Sequence, residues 1–216
     1  MARLVTEFIG TFFLVLIVGL SVLSGSSFAP LAIGAGLMVL VYMGGHVSGA
    51  HYNPAVTLAI AMRGKMPVAD IGPYIAAQVF GGIVAAMTVR VIAGATFGPE
   101  IGVNAGGESF GVLSALLVEV LFTFLLALVV LNVAVSDKTK GNSYYGAAIG
   151  FTVATAATAG GGISGGAFNP AVGIGPTLVK ALSEGGAWSQ LWLHIVGPLA
   201  GGAAAAVVFG YQEKGK

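Results

Sequence analysis

Two asparagines hold the residue types most suited to guide a small molecule. Ser48-Gly49-Ala50-His51-Tyr52-Asn53-Pro54-Ala55-Val56 returns 116 positions later as Ser164-Gly165-Gly166-Ala167-Phe168-Asn169-Pro170-Ala171-Val172. Asn followed by Pro is a strong helix start, because the Asn side chain caps free backbone N–H groups and Pro at the first helical position loses no hydrogen bond. If each Asn oxygen caps its own helix, each NH2 group is free to donate outwards. Two such donors, backed by the positive ends of two helices, accept lone pairs and repel cations. The residues before each Asn, 49–52 and 165–168, are expected to run extended. Non-helical backbone within a membrane survives only where it lines water or is buried in protein. The carbonyls of Gly49, Ala50, His51, Gly165 and Ala167 are therefore candidate stepping stones for a permeant, and glycine at 165 and 166 permits close approach.

Glu7 and Glu119 are the only acids well inside apolar runs, and they occupy matching places. Two uses compete for a carboxylate at such depth. It can relay protons, or it can accept hydrogen bonds from the backbone that feeds a short helix. No Lys or Arg stands beside them to complete a relay, which favours the structural use. His46, His51 and His194 lack metal-ligand spacing and are read as hydrogen-bonding residues. There is no nucleophile–base set, and the glycine-rich stretch 160–166 lacks the Lys of a phosphate loop. Neither an enzyme, nor a metal site, nor a cofactor is expected.

The elements that must position these residues follow from composition. Hydrophobic residues make up 56% of the 216-residue chain, charged residues 8%, and the mean hydropathy is +0.95. A soluble domain carries about a quarter charged residues, so the lipid bilayer must be the main solvent. The net charge is +1 and there is no basic tract, so nucleic acid is not an expected partner. Zero cysteines removes disulfides and thiol chemistry. The first apolar run follows Arg3, reaches residue 23 without a small-residue cleavage site, and reads as an uncleaved span.

Apolar stretches long enough to cross a bilayer lie near 4–23, 31–49, 71–95, 112–135, 144–160 and 188–211. Two segments remain, 53–62 and 169–182; ten helical residues extend about 15 Å, half of a hydrocarbon core. The two halves match elsewhere too, with 6–15 resembling 118–127 and, more weakly, 74–82 resembling 190–198. The chain thus reads as one all-α membrane domain over 1–216, with six spans and two re-entrant half-helices. Its repeats are expected at about 1–95 and about 111–211, joined by an extracellular loop. Three spans per repeat force the second repeat to insert inverted, so that the half-helix starts meet near the midplane. Many of the 35 glycines fall inside spans, where they let helix backbones touch. With the N-terminus inside, Arg3, Arg63, Lys65, Lys138, Lys140, Lys214 and Lys216 are cytoplasmic, whereas Arg90 and Lys180 face the other side. The positive-inside rule then places both termini in the cytoplasm.

With these motifs in place, the chain resembles the aquaporin, or major intrinsic protein, family. The resemblance rests on Asn53-Pro54-Ala55, Asn169-Pro170-Ala171, the Ser-Gly-Ala-His lead-in at 48–51, and Glu7 and Glu119 in the first and fourth spans. It implies one pore per protomer, a homotetramer in a cell membrane (plasma or inner), and passive permeation of water or small neutral solutes. It also implies a selectivity filter at Ile33, Ala157, Gly166 and Val172. Most relatives place an Arg where Val172 stands, and glycerol-conducting members an Asp where Gly173 stands. The filter implied here is wide, uncharged and poor in side-chain donors, which suits glycerol, urea or undissociated metalloid acids.

Other readings stand beside this one. The apolar constriction also suits ammonia or a gas. A coupled secondary transporter uses inverted repeats and broken helices as well, but it needs ion ligands or titratable groups at the site. A purely structural membrane protein is the remaining alternative. The loop at 93–111 is long enough to fold over the mouth and lend it Asn104 or Glu108.

Overall fold

A computed structural model describes residues 1–185 and 188–214. Lys216, counted above among the cytoplasmic charges, lies outside the described residues. Helix follows helix: α1 (Ala2–Leu23), α2 (Ala29–Ser48), α3 (Pro54–Met62), α4 (Val68–Ala93), α5 (Val112–Val130), α6 (Tyr145–Ser164), α7 (Pro170–Glu184) and α8 (Leu193–Lys214). Among the described residues the sole β-pairing is an isolated bridge between Val103 and Ser109. Six of the helices are long and apolar enough to span a membrane. At 1.5 Å per residue the 22 residues of α1 extend about 33 Å, a full hydrocarbon core.

The short helices begin as their caps dictate. Asn53 Oδ1 accepts from the Ala55 N–H (2.8 Å) and Asn169 Oδ1 from the Ala171 N–H (2.9 Å), each with Pro at the first helical position. The long helices before them stop on glycine: Gly49 (φ 91°) ends α2 and Gly165 (φ 87°) ends α6, both left-handed.

α7 has 15 residues and runs through Pro176 to Glu184, two residues beyond the expected 182. Gly185 (φ 69°) terminates it. α8 starts at Leu193 rather than near residue 188, because turns from Trp188 to Leu191 and from Gln190 to Leu193 precede it. Trp188 and Trp192 in this stretch stay half exposed, as anchors at a membrane surface do. α5 ends in a π-helical turn, Leu131–Val135. Carbonyls released there are taken by side chains of the following turn, Thr139 Oγ1 donating to the Asn132 carbonyl (2.5 Å) and Asn142 Nδ2 to that of Val133 (2.7 Å).

Packing mirrors the order of elements. α1 lies against α2 and α4, α5 lies against α6 and α8, and α2 meets α6 across the middle. The short helices cross over: α3 packs on α8, and α7 on α4. Glycine makes this crossing possible at two matched points. A Cβ on Gly82 of α4 would sit 2.7 Å from the Ala171 carbonyl oxygen, and one on Gly202 of α8 would sit 2.6 Å from that of Ala55. The Ala of each Asn-Pro-Ala motif thus rests directly on a glycine of the other half.

Candidate pore and its lining

The segments feeding α3 and α7 are not extended. Ala50 (φ 51°), Tyr52 (φ 48°) and Phe168 (φ 48°) are left-handed, as are Gly49, Gly165 and Gly166 (φ 65°). Non-glycine residues in this region cost about 1–3 kcal/mol each and persist where the surroundings over-determine them. Buried carboxylates do that here. Glu7 Oε1 accepts from Ser48 Oγ (2.6 Å) and the His51 N–H (3.0 Å), and Oε2 accepts from the Tyr52 N–H (2.7 Å) and Gln78 Nε2 (2.8 Å). Glu119 Oε1 accepts from Ser164 Oγ (2.7 Å) and the Ala167 N–H (2.9 Å), and Oε2 from the Phe168 N–H (2.7 Å). A curl of left-handed residues turns successive N–H groups towards one anion, and the carbonyls are left to point elsewhere. Among the described residues no hydrogen bond ends on the carbonyls of Gly49, Ala50, His51, Gly165, Gly166 or Ala167.

The two asparagines are neighbours. Asn53 Nδ2 donates to the Phe168 carbonyl (2.9 Å) and Asn169 Nδ2 to the Tyr52 carbonyl (2.8 Å), so each amide clasps the lead-in of the other half. The expectation that both NH2 groups are wholly free is corrected accordingly. One hydrogen of each closes the clasp, and the second is uncommitted. Pro54, Ala55, Pro170 and Ala171 are buried behind them.

A cavity of about 310 Å³ reaches both asparagines. Ile33, Ala157, Gly166 and Val172 all line it, together with the lead-in residues Ala50, His51, Gly165 and Ala167. Its remaining wall is mostly aliphatic, from residues such as Leu14, Leu37, Val56, Leu126 and Ile149, with Tyr52 and Phe168 beside the asparagines. Gly49 instead lines two cavities of about 460 and 450 Å³ at the end bearing the N-terminus. The first of these shares His51 with the central cavity and the second shares Ala50. Arg3 with Asp70 (3.8 Å) and Lys65 with Asp137 (3.2 Å) form ion pairs beside that mouth.

Asn104 and Glu108 do not line the cavity. Asn104 Oδ1 accepts from the N–H groups of Gly106 (2.9 Å) and Glu108 (3.1 Å), holding its own turn. A different part of that loop approaches the site: the Gly102 N–H donates to the Ile163 carbonyl (3.1 Å), and the backbone of Pro99 and Glu100 lies against Gly165. Sequence reasoning missed Ser48, Ser164, Gln78 and Thr57 as partners in the site. The serines stood inside the repeated pattern, and Gln78 and His194 sit at the same 116-residue offset, so both signals were present. His51 is a hydrogen-bonding residue, with Nδ1 3.1 Å from Thr57 Oγ1. His194 is not, since neither ring nitrogen has a partner among the described residues. No cluster of three or more His, Cys, Asp or Glu side chains that could hold a metal occurs among the described residues.

The pattern described as Major intrinsic protein matches residues 1–209. The chain belongs to the major intrinsic protein family. It is 36% identical to a probable aquaporin NIP-type of Nicotiana alata, over 96% of this chain and 76% of that protein. It is 34% identical to Nodulin-26 of Glycine max, over the same shares of each. In fold it is similar to the aquaglyceroporin from Plasmodium falciparum, with a TM-score of 0.83 and 21% identity over 96% of this chain and 94% of that one. The protein is accordingly an integral membrane channel for water and small solutes, from a family of passive channels and not of enzymes.

Proposed function

We propose that this channel passes water together with uncharged solutes larger than water, such as glycerol, urea and undissociated metalloid acids. One observation carries the reading: the ring of Ile33, Ala157, Gly166 and Val172 lines the cavity without a charged or hydrogen-bonding side chain. A solute moving through it meets aliphatic wall on one side and unpaired carbonyls on the other. Carbonyls accept from hydroxyl or amide donors as hydration water is shed, and the aliphatic wall accommodates the carbon skeleton. The uncommitted hydrogens of Asn53 and Asn169 donate to the solute's oxygen at the centre. Cations are opposed there by the N-terminal ends of α3 and α7.

The topology we assign has repeats at about 1–95 and about 111–211 in inverted orientation, joined by an extracellular loop, with both termini in the cytoplasm. Ion pairs of Arg3, Lys65 and Lys138 cluster at the end that this orientation puts inside. The assembly we assign is a homotetramer in a plasma or inner membrane, with one pore per protomer. The predominantly aliphatic wall also favours a second reading, an ammonia or gas channel. Stopped-flow light scattering on proteoliposomes tests both: glycerol and urea flux above that of empty vesicles supports the first reading, and ammonia flux without them supports the second.

A further inference from the structure

The internal repeat gives the pore two rings. Ile33, Ala157, Gly166 and Val172 form the first. The 116-residue offset between the Asn-Pro motifs also relates α2 to α6, and it carries this ring onto Ile149, Val41, Ala50 and Val56. All four of these line the central cavity. Val41, Ala50 and Ile149 also line the cavity of about 450 Å³ at the end bearing the N-terminus. The rings differ in bulk. Ile and Val recur at two places, but Val41 stands where the first ring has Ala157, and Ala50 where it has Gly166. Beside them His51 matches Ala167.

The cavities register this difference. One helical turn beyond the first ring, away from the asparagines, Ala29 on α2 and Gly161 on α6 still line the central cavity. The space therefore passes the first ring without a break. The counterparts one turn beyond the second ring are Tyr145 and Gly45, and these line the cavity at the N-terminal end but not the central one. The partition between the two spaces thus falls at Val41, Ala50 and Ile149, with Val130 of α5 completing it. All four side chains belong to one buried hydrophobic cluster, so widening the partition means repacking a close-packed core.

We propose that the second ring, not the first, sets the upper size of the solutes that pass, and that Val41 is its main determinant. Two methyl groups at Val41 and one at Ala50 occupy space that Ala157 and Gly166 leave open. A solute moving from the asparagines to the N-terminal mouth passes between aliphatic side chains there, with the carbonyls of Ala50 and His51 as its acceptors. Such a constriction strips hydration without replacing it by side-chain partners, so girth decides passage.

The inference rests on the reading that solutes larger than water pass, and its test separates the two. Stopped-flow light scattering on proteoliposomes of the full chain measures urea, glycerol and erythritol flux, each divided by water flux so that the amount of folded channel cancels. Val41→Ala and Ala50→Gly each give the second ring a residue of the first, and each is expected to raise the glycerol and erythritol ratios severalfold. Ala50 is left-handed (φ 51°), where glycine is at ease, so Ala50→Gly decides the matter if Val41→Ala does not fold. Ala157→Val narrows the first ring while Gly166 stays open, and is expected to lower the ratios only slightly. A rise in neither enlarged variant, or a larger change from Ala157→Val than from both, overturns the proposal while glycerol flux in the wild type keeps the solute reading. A wild type that passes water alone overturns the solute reading, and the rings are still decided: glycerol entering through Val41→Ala or Ala50→Gly upholds the second ring, and exclusion by both overturns it.

Discussion

The two lead-in segments do the same task with different completeness. In the first half, Glu7, Gln78, Thr57 and His51 form a connected network in which the carboxylate takes four donors, with Gln78 Oε1 its one atom left without a partner among the described residues. In the second half, Glu119 takes three, and the places of Thr57, Gln78 and His51 hold Gly173, His194 and Ala167. The backbone is nevertheless nearly identical, with Tyr52 and Phe168 at the same φ of 48°. What both halves retain therefore suffices to set the curl: one carboxylate, one serine, two N–H groups and an Asn-Pro cap. The additional polar groups of the first half add donors to the same curl without changing its backbone.

The largest expected effect comes from removing the carboxylate of the saturated half. Glu7→Ala strips the acceptor from the buried N–H groups of His51 and Tyr52, and each unpaired donor costs about 1–3 kcal/mol. Thermal unfolding in detergent should show a steep loss of melting temperature or no folded protein. Glutamine is gentler but not neutral, because one of its two terminal groups accepts and the other donates. With four donors converging on Glu7 and three on Glu119, Glu119→Gln should retain more permeability than Glu7→Gln. The reverse order would show that the number of donors on the carboxylate does not set its tolerance.

Next in size is the clasp, where the halves are equal. Asn53→Asp and Asn169→Asp each place a negative charge against the carbonyl of Phe168 or Tyr52 and offset the positive helix ends. Both should admit cations, read as a current in planar bilayers, and to similar degrees. A leak in one variant and tight exclusion in the other would show that the two helix ends do not share the barrier. Smaller still are the glycine contacts. Gly82→Ala and Gly202→Ala press a methyl onto the carbonyls of Ala171 and Ala55, an overpacking worth about 1–3 kcal/mol. Near-equal drops in melting temperature are expected, since the contacts differ by only 0.1 Å (2.7 against 2.6 Å).

Much of this was legible in the sequence because it repeats. Hydropathy located the six spans, and the duplicated pattern with its Asn-Pro caps located the two short helices. The backbone before each Asn was not legible. An extended path is the default for non-helical residues, and left-handed Tyr52 and Phe168 are held only once a buried carboxylate on another helix gathers their N–H groups, while the Ala50 N–H donates to Ser48 Oγ, whose hydroxyl donates to the same carboxylate as Tyr52. The divided use of the asparagine NH2 groups depends on an inter-half distance that no local pattern encodes.

The proposed function requires the residues around Val172 to leave an opening wide and uncharged enough for solutes beyond water. Stopped-flow measurement of water, glycerol and urea flux through wild-type and Val172→Arg proteoliposomes tests it most directly. Arginine adds a fixed charge and several donors to a ring that has neither. The expected result is wild-type flux of all three, with the substitution cutting glycerol and urea far more than water. A wild type that passes water while excluding glycerol, urea and ammonia alike would contradict the account.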